Sequence, residues 1–123
     1  MKFNFSDLKY SHMQIREIVK IFKSLQDPTR LRIYALIVKA GPICVCELVE
    51  VTGIPQATVS RILGILKNAD LVVDERCGRT VFYRLSDRLI NRKISSLVTE
   101  YIKEDETYEK NIRKLRTIHR RRC

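Results

Sequence analysis

The stretch CELVEVTGIPQATVSRILGILKNA, residues 46–69, decides the fold. Its first apolar run predicts a short helix over residues 46–51, closed by Thr52-Gly53. Pro55 then opens a longer helix over residues 56–69, since proline suits a first helical turn. Two short helices joined by a tight glycine-containing turn are the outline of a helix-turn-helix. In the second, Val59, Ile62, Leu63 and Leu66 recur at three- and four-residue spacing and belong on the core side. The opposite side then presents Ala57, Ser60, Arg61 and Gly64, with Gln56 and Thr58 at the leading end.

Upstream, Ile15, Ile18, Val19, Phe22 and Leu25 paint one apolar face on a helix that starts near Ser11. Asp27-Pro28 ends it and starts another, running to about Lys39 and apolar on most sides (Leu31, Ile33, Tyr34, Leu36, Ile37, Val38). Gly41-Pro42 stops that one. Downstream the period changes to two: Leu71 and Val73, then Val81, Tyr83 and Leu85, broken by Cys77-Gly78-Arg79. This predicts a β-hairpin with a basic tip. A last helical stretch begins near Asp87 with Leu89, Ile90, Ile94, Leu97, Val98, Tyr101 and Ile102, and continues into residues 104–123. The expected fold is mainly α with a small β-hairpin, a winged helix-turn-helix. Residues 1–11 form a flexible arm, 12–105 the domain, and 106–123 a basic C-terminal extension.

At 123 residues the chain holds one domain with tails, and a core of that size gains burial by pairing. Hydrophobic residues make up 45%, which excludes a disordered chain. No apolar run reaches the ~20 residues that span a bilayer, and residues 1–11 have no apolar export segment. The net charge of +10 attracts polyanions, nucleic acid above all. Four cysteines, at 44, 46, 77 and 123, are too few and too uneven for a disulfide framework, so the expected compartment is reducing and cytoplasmic.

On the helix face, Gln56 and Arg61 suit bidentate bonds to adenine and guanine edges, while Thr58 and Ser60 suit bases or phosphates. In the wing, Arg76 and Arg79 suit phosphate or minor-groove contacts, which position rather than specify. Arg84 is read as flanking the strand, and Arg120-Arg121-Arg122 as a solvated tail with at most a phosphate contact. The plain alternative is a solvated helix face and a solvated hairpin. His12 and His119 lie near the ends, away from any nucleophile, and there is no glycine-rich phosphate loop, so the chain is not read as an enzyme.

Cys44 and Cys46 carry a second chemistry. In a regular helix, residues two apart point ~200° from each other. They converge on one ion only where the helix has not begun, and Gly41-Pro42 just before them fits a helix start. A helix N-terminus is expected to lower the thiol pKa and supply thiolates near neutral pH. Such soft ligands select trivalent arsenic or antimony species, with a cadmium-like soft cation ranked behind, over magnesium or calcium. Two thiolates satisfy a monomethylated trivalent arsenical, whereas inorganic arsenite takes three. Cys123, from either subunit, is the candidate third ligand, and Cys77 at the wing tip is taken as incidental. Two other readings stay open: packing as small semi-buried residues, and thiol oxidation as a redox signal.

Three blocks together, FKSLQDPTRLRIYALI (22–37), PICVCELVEVTGIPQATVSRILGILKNADLV (42–72) and DERCGRTVFYRLS (74–86), resemble the ArsR/SmtB family of metal-sensing repressors. The resemblance spans roughly residues 14–105. It implies a homodimer paired through the first and last helices, bound to double-stranded operator DNA with an inverted repeat and released by an inducer, with no permanent cofactor and no membrane. CVCELV is similar to the CVC-D/E-L-C motif of arsenite- and antimonite-responsive members, with Val49 where the third cysteine stands. Cadmium- and lead-responsive relatives add N-terminal cysteines, and residues 1–43 have none. Zinc-responsive relatives use histidine and carboxylates on the last helix, and residues 85–105 have no histidine. Pro55 and Ile62 replace the serine and histidine the family often carries around its recognition helix, so the operator sequence is left open. The expected function is a repressor released by a thiophilic inducer at Cys44 and Cys46. A thiol redox repressor, or a winged-helix DNA- or RNA-binding protein with no inducer, are the alternatives.

Overall fold

The computed structural model describes residues 14–122. In chain order these form α1 (Ile15–Leu25), α2 (Pro28–Ala40), β1 (Ile43–Cys44), α3 (Val45–Thr52), α4 (Gln56–Asn68), β2 (Val72–Cys77), β3 (Thr80–Leu85), α5 (Leu89–Ile102) and α6 (Glu106–Leu115). The arm at 1–11 lies outside the described residues. The topology is that of a winged helix-turn-helix: α3 and α4 are the helix pair, β2 and β3 the wing.

Local chemistry sets the boundaries. Asp27 caps α2 by accepting from the Arg30 N–H at 3.0 Å, and Pro28 takes the first helical position, where no N–H is needed. Gly41 closes α2 with its N–H on the Ile37 carbonyl at 2.8 Å. A Cβ there would lie 2.7 Å from that same oxygen, so the chain can turn this closely only on glycine. Gly53 ends α3 at φ 73°, the left-handed conformation that glycine adopts at little cost, and this aims the chain into α4.

Two expectations change. The sheet has three antiparallel strands in the order β1-β3-β2, because Ile43 and Cys44 pair with Tyr83 and Phe82. A two-residue strand is too short to show a period of two, so only its partner reveals it. The last helix is not continuous either. Residues 103–105 break it, and Asp105 starts α6 by accepting from the Tyr108 N–H at 2.8 Å while its carboxylate pairs with Arg32 of α2 at 2.7 Å.

The core sits between α2, α3, α4 and the base of the wing. Five successive residues of α2, from Ile33 to Ile37, are buried, which fits a helix covered on nearly all sides. Val59, Ile62, Leu63 and Leu66 of α4 are buried against it. Each such side chain contributes about 1.5–3 kcal/mol of transfer free energy. Asn91 of α5, fully buried, pins the layers together. It accepts from the Tyr34 hydroxyl at 2.5 Å and donates to the carbonyls of Leu71 (2.7 Å) and Ser86 (3.1 Å) and to the Ser86 hydroxyl (2.8 Å).

The apolar stripe of α1 is only partly consumed by this core. Leu25 is half-buried and Ile21, off that stripe, is buried, but Ile15 and Phe22 are 79% and 64% exposed, as are Leu97 (59%) and Tyr101 (67%) of α5. No helix among the described residues is long and apolar enough to cross a membrane.

Candidate nucleic-acid interface and thiol site

With its apolar side turned inward, α4 leaves Gln56, Ala57, Ser60, Arg61 and Gly64 exposed, and Thr58 half-buried at the leading end. The small residues at 57, 60 and 64 let another backbone come close. Arg76 and Arg79 are exposed on the wing, and with Arg61 they make no ion pair among the described residues. Arg84 is engaged instead with Glu75 at 2.9 Å and Asp87 at 3.8 Å. Lys67 of α4 reaches Asp74 of β2 at 2.9 Å and ties the exposed helix to the wing.

The two cysteines of the CVC turn converge. Cys44 ends β1 and is the N-cap of α3, with extended backbone at φ −95° and ψ 165°. Cys46 is the second helical residue. Because the first sits on extended backbone and the second on helical backbone, the ~200° divergence of a regular helix does not apply. Their sulfurs lie 2.6 Å apart. Cys44 is 2% exposed, whereas Cys46 opens onto a groove it shares with Glu50, Thr80, Ile118 and His119.

The protonation state differs from the expected thiolate. Burial, joined by the hydrogen bond with Cys46, pushes the Cys44 thiol up to about 12, so it is neutral at pH 7. The favourable helix N-terminus is outweighed because the same turn removes Cys44 from water and places the Glu47 carboxylate beside it.

Glu47 is a functional candidate that the sequence reading missed. Its place three residues after Cys44 is the spacing of a capping box, with cysteine in the usual serine position. It is 1% exposed, and its Oε1 accepts from the Cys44 N–H at 3.1 Å. Oε2 accepts from the Arg120 Nε at 2.9 Å and from the Arg121 N–H at 2.8 Å. Burial alone would raise this carboxyl. The donors from Cys44, Arg121 and Arg120 outweigh burial and hold it below the usual range.

Arg120 also donates to the carbonyls of Ala40 (2.9 Å) and Pro42 (3.0 Å). The basic tail is therefore docked at this residue rather than solvated along its length. No sequence signal announces a contact between residues 73 positions apart.

Among the described residues, no three or more His, Cys, Asp or Glu are grouped to hold a metal. Cys123, the candidate third ligand, lies outside the described residues. Cys77 ends β2 opposite Thr80, at the tip of the wing.

A winged helix-turn-helix with a cysteine pair at the start of its supporting helix defines a class of regulator, and comparison with known proteins places the chain within it. Residues 27–73 match the family described as "Bacterial regulatory protein, arsR family". The chain is 42% identical over 74 residues to the arsenic resistance transcriptional regulator ArsR1 of Pseudomonas putida, covering 58% of each protein. It is 35% identical over 81 residues to the arsenical resistance operon repressor of Bacillus subtilis, covering 66% of this chain and 77% of that one. Among solved structures, the transcriptional repressor BigR from Xylella fastidiosa is 30% identical with a TM-score of 0.63, over 74% of this chain and 89% of that one. The chain belongs to the ArsR family of bacterial regulators. The match spans under two thirds of the length of the Pseudomonas regulator. These relatives are transcriptional regulators, not enzymes.

Proposed function

We propose that the chain is a DNA-binding transcriptional repressor that leaves its operator when a trivalent arsenical or antimonite binds Cys44 and Cys46. One observation carries this reading. Two free sulfurs meet at 2.6 Å, at the first turn of the helix that leads into α4. A ligand held there acts on the support of the DNA-facing helix without touching DNA.

The chemistry of a neutral thiol favours a particular inducer. A bare divalent cation must displace the Cys44 proton into water, and a thiol near 12 makes that costly at pH 7. A trivalent arsenical brings its own proton acceptors. CH3As(OH)2 and two thiols give CH3As(SR)2 and two waters, with each hydroxide leaving on a thiol proton and arsenic unchanged in oxidation state. Two thiols complete that species, and a third ligand is needed only for inorganic arsenite. Relatives named for arsenic or arsenical resistance support this choice.

On the DNA side, Gln56, Thr58, Ser60 and Arg61 read the major groove, while Arg76 and Arg79 hold the backbone. The exposed apolar side chains of α1 and α5 pair two copies, and the two-fold axis of that homodimer matches an operator with an inverted repeat. The same sulfur proximity supports a second reading, oxidation of the pair as a redox signal.

Operator binding by fluorescence anisotropy separates these readings. Wild type, Cys44→Ser, Cys46→Ser and Cys123→Ser proteins are titrated with arsenite, methylarsenite, antimonite, cadmium and peroxide. Methylarsenite is expected to weaken wild-type binding about 5–150-fold and to leave the Cys44→Ser and Cys46→Ser proteins bound. Release by peroxide alone supports the redox reading. Release by none of the five, or normal release of the two serine variants, sinks the thiol sensor.

A further inference from the structure

We propose that residues 118–122 are a strap over the thiol site, with Arg120 and Glu47 as positioning residues that set how readily Cys44 and Cys46 take an inducer. The proposal deepens the reading above and rests on it.

The strap is a built contact. The Glu47 carboxylate joins the Cys44 backbone on one oxygen to Arg120 and the Arg121 N–H on the other. The same Arg120 guanidinium holds the carbonyls of Ala40 and Pro42, on the approach to β1. The extended segment carrying Cys44 is thus held from three sides: by Arg120, by Glu47, and by its pairing with Phe82 of β3. Ile118 and His119, just before Arg120, line the groove onto which Cys46 opens.

Binding must disturb this arrangement. An atom that bridges the two sulfurs needs room between Cys44, which is 2% exposed, and Cys46 beside it. To admit that atom the cysteine turn must shift, and the pairing of Cys44 with Phe82 gives β1 little room to move. The first turn of α3 gives instead, carrying Glu47, and so pulls on Arg120 and Arg121. The strap resists that opening. By linkage, whatever the inducer does to the strap, the strap does to inducer affinity in equal measure. Arg120 and Arg122 also border the wing residue Arg76 in one cleft, so release of the strap alters the basic surface beside the wing.

The test uses phenylarsine oxide on the full chain. C6H5AsO and two thiols give C6H5As(SR)2 and one water: two S–H bonds and the arsenic–oxygen bond break, two As–S bonds and the two O–H bonds of water form, and arsenic stays trivalent. The readout is the concentration for half-formation of the adduct bridging Cys44 and Cys46, in competition with a soluble dithiol and located by mass spectrometry. Arg120→Ala is expected to lower that concentration about 5- to 50-fold. Arg120→Lys, which can keep the charge on Glu47 but not both carbonyl bonds, should fall between. Asn91→Ala controls for simple loosening of the fold, because it weakens the core away from the strap and should leave the concentration unchanged. Equal values in wild type and Arg120→Ala overturn the strap, as does an equal fall in Asn91→Ala. No adduct at this pair in any of the proteins overturns the thiophilic reading itself.

Discussion

Asn91 and Glu47 are both polar side chains hidden from solvent, and they do opposite things. Asn91 is neutral, and every bond it makes goes to an element of the central fold: Tyr34 of α2, Leu71 at the foot of the wing, Ser86 at its return. Glu47 is charged, and its bonds run to the cysteine turn on one side and to a C-terminal tail on the other. The first network closes on itself. The second closes only while the tail is docked. A buried neutral group with all its bonds met is a fastener, whereas a buried charge is stable only as long as its counter-ion stays. The fold thus places a fixed pin between α2, α5 and the foot of the wing, and a releasable one at the cysteine turn.

The largest effect should come from breaking the fixed pin. Asn91→Ala strands the Tyr34 hydroxyl and the Leu71 carbonyl and leaves a cavity, so it should cost about 3–4 kcal/mol in urea unfolding. A loss below about 1 kcal/mol would remove the distinction between the two sites. Next comes Arg120→Ala, expected to cost about 2–3 kcal/mol. That is less than the usual penalty for stripping a buried ion pair, because the N–H groups of Cys44 and Arg121 still serve Glu47. Adding Glu47→Gln to it should recover part of that loss, since no charge is then left unpaired, and a double-mutant cycle measures the coupling.

The smallest effects concern pH: a carboxyl and a thiol titrate at the Glu47 site, and at the Asn91 site burial raises the Tyr34 hydroxyl. Glu47 has a lowered pKa when folded, so its contribution is present above the ordinary carboxylate range and fades as pH falls through and below it. Cys44 has a raised pKa, so its contribution is complete below about 9 and is lost as pH rises toward about 12. Thermal melts should therefore show an acid limb that Glu47→Gln flattens and an alkaline limb that Cys44→Ala flattens. Variants at Asn91 should shift the curve down without changing its acid limb. An alkaline limb unaltered in Cys44→Ala would mean that burial does not govern that thiol.

Much of this was legible in the residue order. The spacing of Val59, Ile62, Leu63 and Leu66 names the buried side of α4, because a helix maps sequence period onto a face. Asp27-Pro28, Gly41 and Gly53 mark their boundaries for local reasons, a cap, a close approach and a left-handed turn, which operate within a few residues. The convergence of Cys44 and Cys46 was legible too, since it requires only that the helix begin between them.

What the order of residues could not express was burial and distant pairing. A thiol at a helix start reads as acidified, yet the sheet formed with β3 removes Cys44 from water and reverses the sign. A run of arginines near the end of a chain reads as solvated, yet the turn between α5 and α6 brings Arg120 onto a carboxylate 73 positions away. Local sequence determined the helices, the wing and the meeting of two sulfurs, because those depend on neighbours along the chain. The charge state of the site and the strap across it belong to the tertiary structure, because desolvation and ion pairing depend on what the fold brings near, at any distance in sequence.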